Sequence, residues 1–337
     1  MSKIGNGCAW GCLISVLVLF GLGFLLTLAG MMHAKGALNL AEKWGHRTSI
    51  ESLGVDEYPD LTEVWSCGAG DVKVVRIPVR GMIMLESDSW EMGNSDSVLA
   101  SIRRATADSE VKGIILDIDS GGGGITASDI LYHELLRFKE AQDGRVIVSI
   151  FGDMAASGAY YLAMASDVIL AHPTTVTGSI GVIIQAYNFK ELAAKIGIKD
   201  VTVKSGDNKD LFNPFEDVKP EQRALFQKLI DSMYDRFVTL VATGRKMDKE
   251  AVRRLADGRI FSADEAFENN LIDGIGYWED AQQTAAELLG CDDVYVIRYE
   301  EQMSLLDILR SRRGFGMNLL LNSLGAAAEP RVMYKMR

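Results

Sequence analysis

The chain has 337 residues, enough for one large or two small domains and for a sizeable buried core. Its 46 acidic residues outnumber 35 basic ones, and the net charge of −11, with no long basic run to offset it, argues against nucleic acid as a partner. Four cysteines, at 8, 12, 67 and 291, match no zinc-ligand spacing, so metal chemistry has little support. Cys67 and Cys291 read either as a disulfide in an oxidising compartment or as two free thiols.

The first predicted element is an apolar helix. Ile4 to Ala34 contains no Lys, Arg, Asp or Glu, and Ala9 to Met32 is dominated by Leu, Val, Phe, Gly and Ala. Such a helix spans about 36 Å, against a hydrocarbon core of about 30 Å. Residues 1–34 are therefore read as an uncleaved membrane anchor, one N-terminal transmembrane helix. The competing reading is a cleaved signal peptide, with small residues offered at Thr27-Leu28-Ala29. Lys3 precedes the span and Lys35, Lys43 and Arg47 follow it, counts that by themselves lean toward a cytoplasmic C-terminal side. Residues 35–70 lack sustained periodicity and read as a connector.

From residue 71 to 300 strand and helix patterns alternate. Val72 to Val79 is rich in β-branched residues and predicts a strand, followed by the apolar run Met82-Ile83-Met84-Leu85. Helical spacing of Val98, Leu99, Ile102 and Ala105 predicts a helix over 97–107, and Gly113 to Ile118 a buried parallel strand. Asp119-Ser120 and four glycines, Gly121 to Gly124, come next, then a helix with Thr126 and Asp129 at capping-box spacing. Strands are predicted at 146–151, 167–171 and 201–204, and helices at 158–165, 188–196, 220–243 and 281–289, with a capped helix start within Ile260 to Ala266. Repeated strand-then-helix units argue for right-handed βαβ crossovers, an α/β fold and a mostly parallel sheet. Residues 301–337 form a C-terminal arm that reads as partner-binding or partly disordered, with nothing resembling catalytic chemistry.

Two stretches lie just past strand C-termini, where ligand sites form in such sheets. Ser157 falls at a strand-to-helix turn, which suits a nucleophile because unpaired helix N–H groups lie behind it; the alternative is a simple helix cap. The four glycines lack a Gly-Lys-Ser/Thr continuation, which argues against a P-loop and leaves an oxyanion hole or a flexible turn.

The segment GDMAASGAYYLAMASDVILAHPTTVTGSIGVI resembles the nucleophile region of the signal peptide peptidase A family, membrane-anchored serine proteases related in fold to Clp protease and crotonase. The resemblance runs from about Val74 to Ile297 and joins five pieces in order: the strand into DSGGGG, the Ser157 block, TGSIGV, the SGDNKDLFNPF loop and GRIFSADEAFENNLIDGIG. It implies that Ser157 is the nucleophile, Lys209 the general base, Ser179 the residue that orients the lysine, and Gly158 and Gly123 the oxyanion donors, with Gly122 the near alternative to Gly123. Where the family's loop reads Ser-Pro-Gly-Gly, Gly121 stands in place of the proline, which implies a less rigid loop. A lysine acting as base near neutral pH must be held about three pH units below its ordinary value of about 10.4, as burial in an apolar site does. Asp207 and Asp210 oppose that unless paired elsewhere.

A single copy of the block resembles the half-length members. It implies a homo-oligomeric ring with serine and lysine drawn from neighbouring protomers, an extracytoplasmic catalytic domain, and substrates that are remnant signal peptides or other membrane-associated peptides. His172 or Lys204 stands as the alternative base. An inactive oligomeric membrane scaffold and an acyl-CoA enzyme of the crotonase fold are the competing functions.

Overall fold

The computed structural model describes residues 61–85, 94–300 and 332–335, all within one unit, Asp56–Arg337. The anchor segment, most of the connector and residues 301–331 of the arm lie outside the described residues. Among the described residues no helix is long and apolar enough to cross a membrane.

Strands β1 (Thr62–Cys67) and β2 (Val72–Arg80) open the domain, followed by helix α1 (Ser95–Ala107), which Asn94 caps through its side chain. Next come β3 (Val111–Ser120), β4 (Gly122–Gly124), α2 (Ile125–Glu140), β5 (Val146–Ala156), α3 (Gly158–Ala163) and β6 (Val168–Ala171). Two short strands, β7 (Val176–Gly178) and β8 (Ile183–Ile184), lead to α4 (Lys190–Lys195), the long α5 (Pro220–Gly244) and α6 (Lys249–Leu255). The remainder is β9 (Ile260–Ser262), α7 (Ala263–Glu268), β10 (Gly274–Ile275), α8 (Trp278–Leu289), β11 (Val294–Glu300) and β12 (Val332–Lys335).

The central sheet runs β1-β11-β2-β3-β5-β6-β10, parallel throughout except for the β1–β11 pair, with β7 alongside the end of β5 and β9 antiparallel to β7. Its strands are apolar on both faces because both are covered. Val75, Ile114, Leu116 and Ile147 belong to the larger core cluster with Ile102 of α1, Leu131, Leu135 and Phe138 of α2, and Leu162 of α3. Their chain neighbours Val74, Ile115 and Val148 form a second cluster with Ala281, Ala285 and Ala286 of α8. Alternation along a pleated strand produces this division. Each large side chain so buried contributes about 1.5–3 kcal/mol. Arg145 is buried among backbone carbonyls and donates to those of Ala105, Thr106, Asp108 and Phe138, at the ends of α1 and α2, and to that of Val111 at the start of β3.

Several expectations are corrected. Thr62–Cys67, assigned to the connector, is the edge strand of the sheet, paired with β11 from the far end of the domain. Residues 201–204 form no strand: Val201 is 85% and Val203 96% exposed, and no described strand lies beside them. Thr126 and Asp129 form no capping box; α2 starts after Gly124 without a side-chain cap, and the Asp129 carboxylate is instead drawn to the Tyr161 hydroxyl and the Arg236 guanidinium. Ile260 to Ser262 is a strand, and the capped helix begins only at Ala263, where Ser262 and Glu265 make the capping box. The arm contributes β12, the middle strand of a second small sheet ordered β4-β12-β8.

Candidate active site

Parallel strands β3 and β5 end side by side, so the glycines that follow one meet the serine that follows the other. Ser157 joins β5 to α3 with φ 57° and ψ −121°, a conformation costly for any residue with a side chain, about 1–3 kcal/mol. Its backbone is held on both sides: its N–H donates to the Gly178 carbonyl at 2.8 Å, and its carbonyl accepts from Tyr161 N–H at 2.9 Å. The residue is 1% exposed, and its Oγ has no hydrogen-bond partner among the described residues. Ser157 occupies the N-cap position of α3, yet its side chain caps nothing. The strained turn therefore holds the hydroxyl away from the helix N–H groups, against the simple-cap reading.

The glycine loop is pressed against this turn. A Cβ on Gly122, whose φ is +88°, would lie 2.5 Å from Gly158 N and 3.0 Å from Ser157 Cβ. One on Gly158 would collide with Ser128 Oγ and lie 3.2 Å from Gly123 N. Only glycine permits this approach, which puts the Gly122-Gly123 peptide beside the first N–H of α3. The side-chain-free loop is nevertheless pinned. Ile83 N–H donates to Gly122 O at 3.0 Å and Gly124 N–H to Ile83 O at 2.8 Å, while Ser120 Oγ accepts from Gly122 N–H and donates to Gly81 O. The loss of a proline at Gly121 is thus offset by hydrogen bonds from flanking residues. Neither Ile83 nor Ser120 was singled out by the sequence reading; the apolar run 82–85 carried the only trace of the first.

Ser179 follows Gly178, whose carbonyl receives the Ser157 N–H. It too has positive φ, 51°, is buried, and donates its N–H to Arg259 O at 2.7 Å. Ser157, Gly158, Gly122, Gly123 and Ser179 are accordingly brought together. Lys209 is not: it lies on an exposed turn, its N–H bonded to Gly206 O, and no hydrogen bond joins its amine to Ser157. Of the alternative bases, Lys204 is paired with the Asp210 carboxylate at 2.8 Å; that hydrogen bond raises its pKa and keeps the amine charged. The same pairing engages the Asp210 carboxylate with a cation other than Lys209. His172 follows β6 and lies against the Tyr277 ring, with centroids 5.5 Å apart, and does not bond Ser157. Cys67 and Cys291 are free thiols. Among the described residues no group of carboxylates, histidines and cysteines could hold a metal.

A buried, unpartnered hydroxyl beside convergent backbone N–H groups is suited to acyl transfer. Comparison with known proteins agrees. The profile of Peptidase family S49 matches residues 139–292, which include the Ser157 turn, β7, Lys209 and α5. An Enterococcus faecium protein provisionally named signal peptide peptidase SppA is 40% identical over 237 residues, 69% of this chain and 68% of the relative. Protease 4 of Salmonella typhi is 32% identical over 229 residues, covering 68% of this chain and 37% of that longer protein. The chloroplastic serine protease SPPA of Arabidopsis thaliana is 33% identical over 183 residues, 54% of this chain and 27% of the relative. With the mixed α/β fold around its central sheet, these likenesses show that the chain belongs to the SppA branch of peptidase family S49.

Proposed function

We propose that the chain is a serine endopeptidase in which Ser157 is the nucleophile and Lys209, supplied by a neighbouring copy, is the general base. The observation that carries this reading is the Ser157 hydroxyl: buried, without a partner, and held on a strained turn against the glycine loop. A fold maintains such a turn against its cost where the strain serves the chemistry. The lysine amine takes the hydroxyl proton as Oγ attacks a peptide carbonyl, and the N–H groups of Gly158 and Gly123 receive the negative charge on the carbonyl oxygen. The amine of the cleaved peptide takes the proton from lysine and leaves. Water, deprotonated by the same amine, resolves the ester. Each N–H donor of this kind accounts for about 10²–10³ in rate.

The segment that carries Lys209 supports its role in a neighbour's site. Tyr187, Phe189, Leu192, Ile196, Ile198, Val201 and Val203 are all exposed there, a concentration of apolar surface that a second copy would cover. A homo-oligomer with shared sites follows, its lysine desolvated only on assembly. By family resemblance the substrates are remnant signal peptides or other membrane-associated peptides, and residues 1–34 anchor an extracytoplasmic domain in a single pass.

The test is peptide hydrolysis by the detergent-solubilised protein, wild type beside Ser157→Ala and Lys209→Ala, with size-exclusion chromatography on each. Loss of activity with retained assembly supports the mechanism. Activity in Ser157→Ala contradicts it.

A further inference from the structure

Two helix starts meet behind the glycine loop, and one buried side chain stands between them. Ser128, the fourth residue of α2, is fully buried and donates its hydroxyl to Gly124 O at 2.9 Å. A back-bond of this kind to the carbonyl four residues earlier is ordinary for a serine in a helix, and it fixes where Oγ points. What Oγ meets from the other helix is not ordinary. It lies 2.3 Å from the position a Cβ on Gly158 would take, so the Gly158 Cα–H that stands there instead is directed at the oxygen. Gly158 is the first residue of α3, and Gly124 directly follows Gly123. A single hydroxyl thus rests against both segments that carry the proposed oxyanion donors. The remaining freedom of Gly158 is small, since Gly122 crowds its nitrogen and the same Cβ position lies 3.2 Å from Gly123 N.

We propose that Ser128 is a positioning residue whose hydroxyl sets the spacing between the Gly123 and Gly158 N–H groups. The proposal rests on those two groups being the oxyanion donors of the function proposed above. Such donors act only when each stands within hydrogen-bond reach of the oxygen in the tetrahedral intermediate, so a small displacement of either one is felt in the rate. Ser128 is fully buried and acts through the backbone of Gly124 and Gly158, not on the substrate. Without the hydroxyl, the start of α3 is free to settle toward α2, and the two donors no longer converge on one point. The same contact accounts for glycine at 158, because any side chain there would need the place that the Ser128 oxygen holds.

The experiment is steady-state peptide hydrolysis by the detergent-solubilised full chain, wild type beside Ser128→Ala, Ser128→Thr, Gly158→Ala and the Ser128→Ala, Gly158→Ala double variant. Inhibition by a peptide aldehyde and a circular-dichroism melt are measured on each. The aldehyde forms a tetrahedral adduct with the nucleophile, so its affinity reports on the oxyanion donors. Ser128→Ala is expected to melt like wild type and keep KM within about twofold, yet lose about ten- to hundredfold in kcat and bind the aldehyde more weakly by a similar factor. Ser128→Thr keeps a hydroxyl able to bond Gly124 O and stays within a few-fold of wild type. Gly158→Ala costs less in the Ser128→Ala background than in wild type, because the colliding oxygen is gone. Wild-type kcat in Ser128→Ala overturns the inference and leaves the proposed function standing. So does a loss of kcat with unchanged aldehyde affinity, an equal loss in Ser128→Thr, or additive costs in the double variant. A large fall in the melting temperature of Ser128→Ala also overturns it, since the hydroxyl would then support the fold and not the site. A wild-type chain inert toward every peptide overturns the proposed function itself.

Discussion

The Ser157 turn and the segment carrying Lys209 are built in opposite ways. The first is buried and over-determined: Gly178 and Tyr161 hold the serine backbone, Ile83 and Ser120 hold the glycine loop, and the core of α2 and α3 lies behind them. The second turns apolar side chains outward and has Lys209 on an exposed turn. One half of the proposed site is finished by the chain's own fold, and the other has the composition of a surface awaiting a partner. Catalytic strain can be stored only where packing is rigid enough to oppose it, which suits the first region to the proposed nucleophile. The base can belong to the second, because assembly itself can supply the burial that a neutral lysine requires.

The largest effects expected fall on the two reacting groups. Ser157→Ala and Lys209→Ala should each lower kcat on the order of 10⁴-fold or more while leaving the circular-dichroism melt nearly unchanged. A large drop in melting temperature for either would mean that the residue supports structure rather than chemistry. Gly122→Ala comes next: with φ +88° and Gly158 N only 2.5 Å from the new Cβ, the loop must move, and kcat should fall about 10²–10³-fold with only a modest change in KM.

These predictions draw on parts of the molecule that were unequally legible in the sequence. Strands β3 and β5 were readable because continuous apolar runs of that length suit a strand buried on both faces, and the Ser157 turn because a small-residue break separates such a run from a helix. β1 and β12 were not. Each is short, without clear alternation, and held by residues far along the chain: Thr62 meets Glu300, and Tyr334 meets Gly123. Val201 to Lys204 misled in the opposite sense, since Val-Thr-Val-Lys alternates as a strand does but has no described strand beside it. Local pattern reports what a segment could pair with and not whether a partner is present. The braces on the glycine loop were hidden for a related reason, because a backbone splint such as Ile83 uses groups that every residue carries.

Smaller effects separate the two regions further. Leu192→Ser combined with Val203→Ser removes exposed apolar groups, so domain stability should stay within about 0.5 kcal/mol while the assembly dissociates on size-exclusion chromatography and activity falls with it. Activity that survives in the dissociated form would show that one chain completes the site alone. Smallest of all, Lys204→Ala should retain activity within a few-fold of wild type at neutral pH, because the Asp210 carboxylate already keeps that amine charged. Abolished turnover would move the base from Lys209 to Lys204.

The most direct measurement is of peptide hydrolysis by Ser157→Ala and Lys209→Ala chains unfolded or dissociated together and reassembled in equal amounts. If the serine and lysine of a site come from adjacent copies, two inactive proteins should yield about a quarter of wild-type activity, the share of sites that random assembly completes. If the mixture stays as inactive as its components while wild type carried through the same procedure recovers, each chain supplies both groups to its own site and the division between the two regions is wrong.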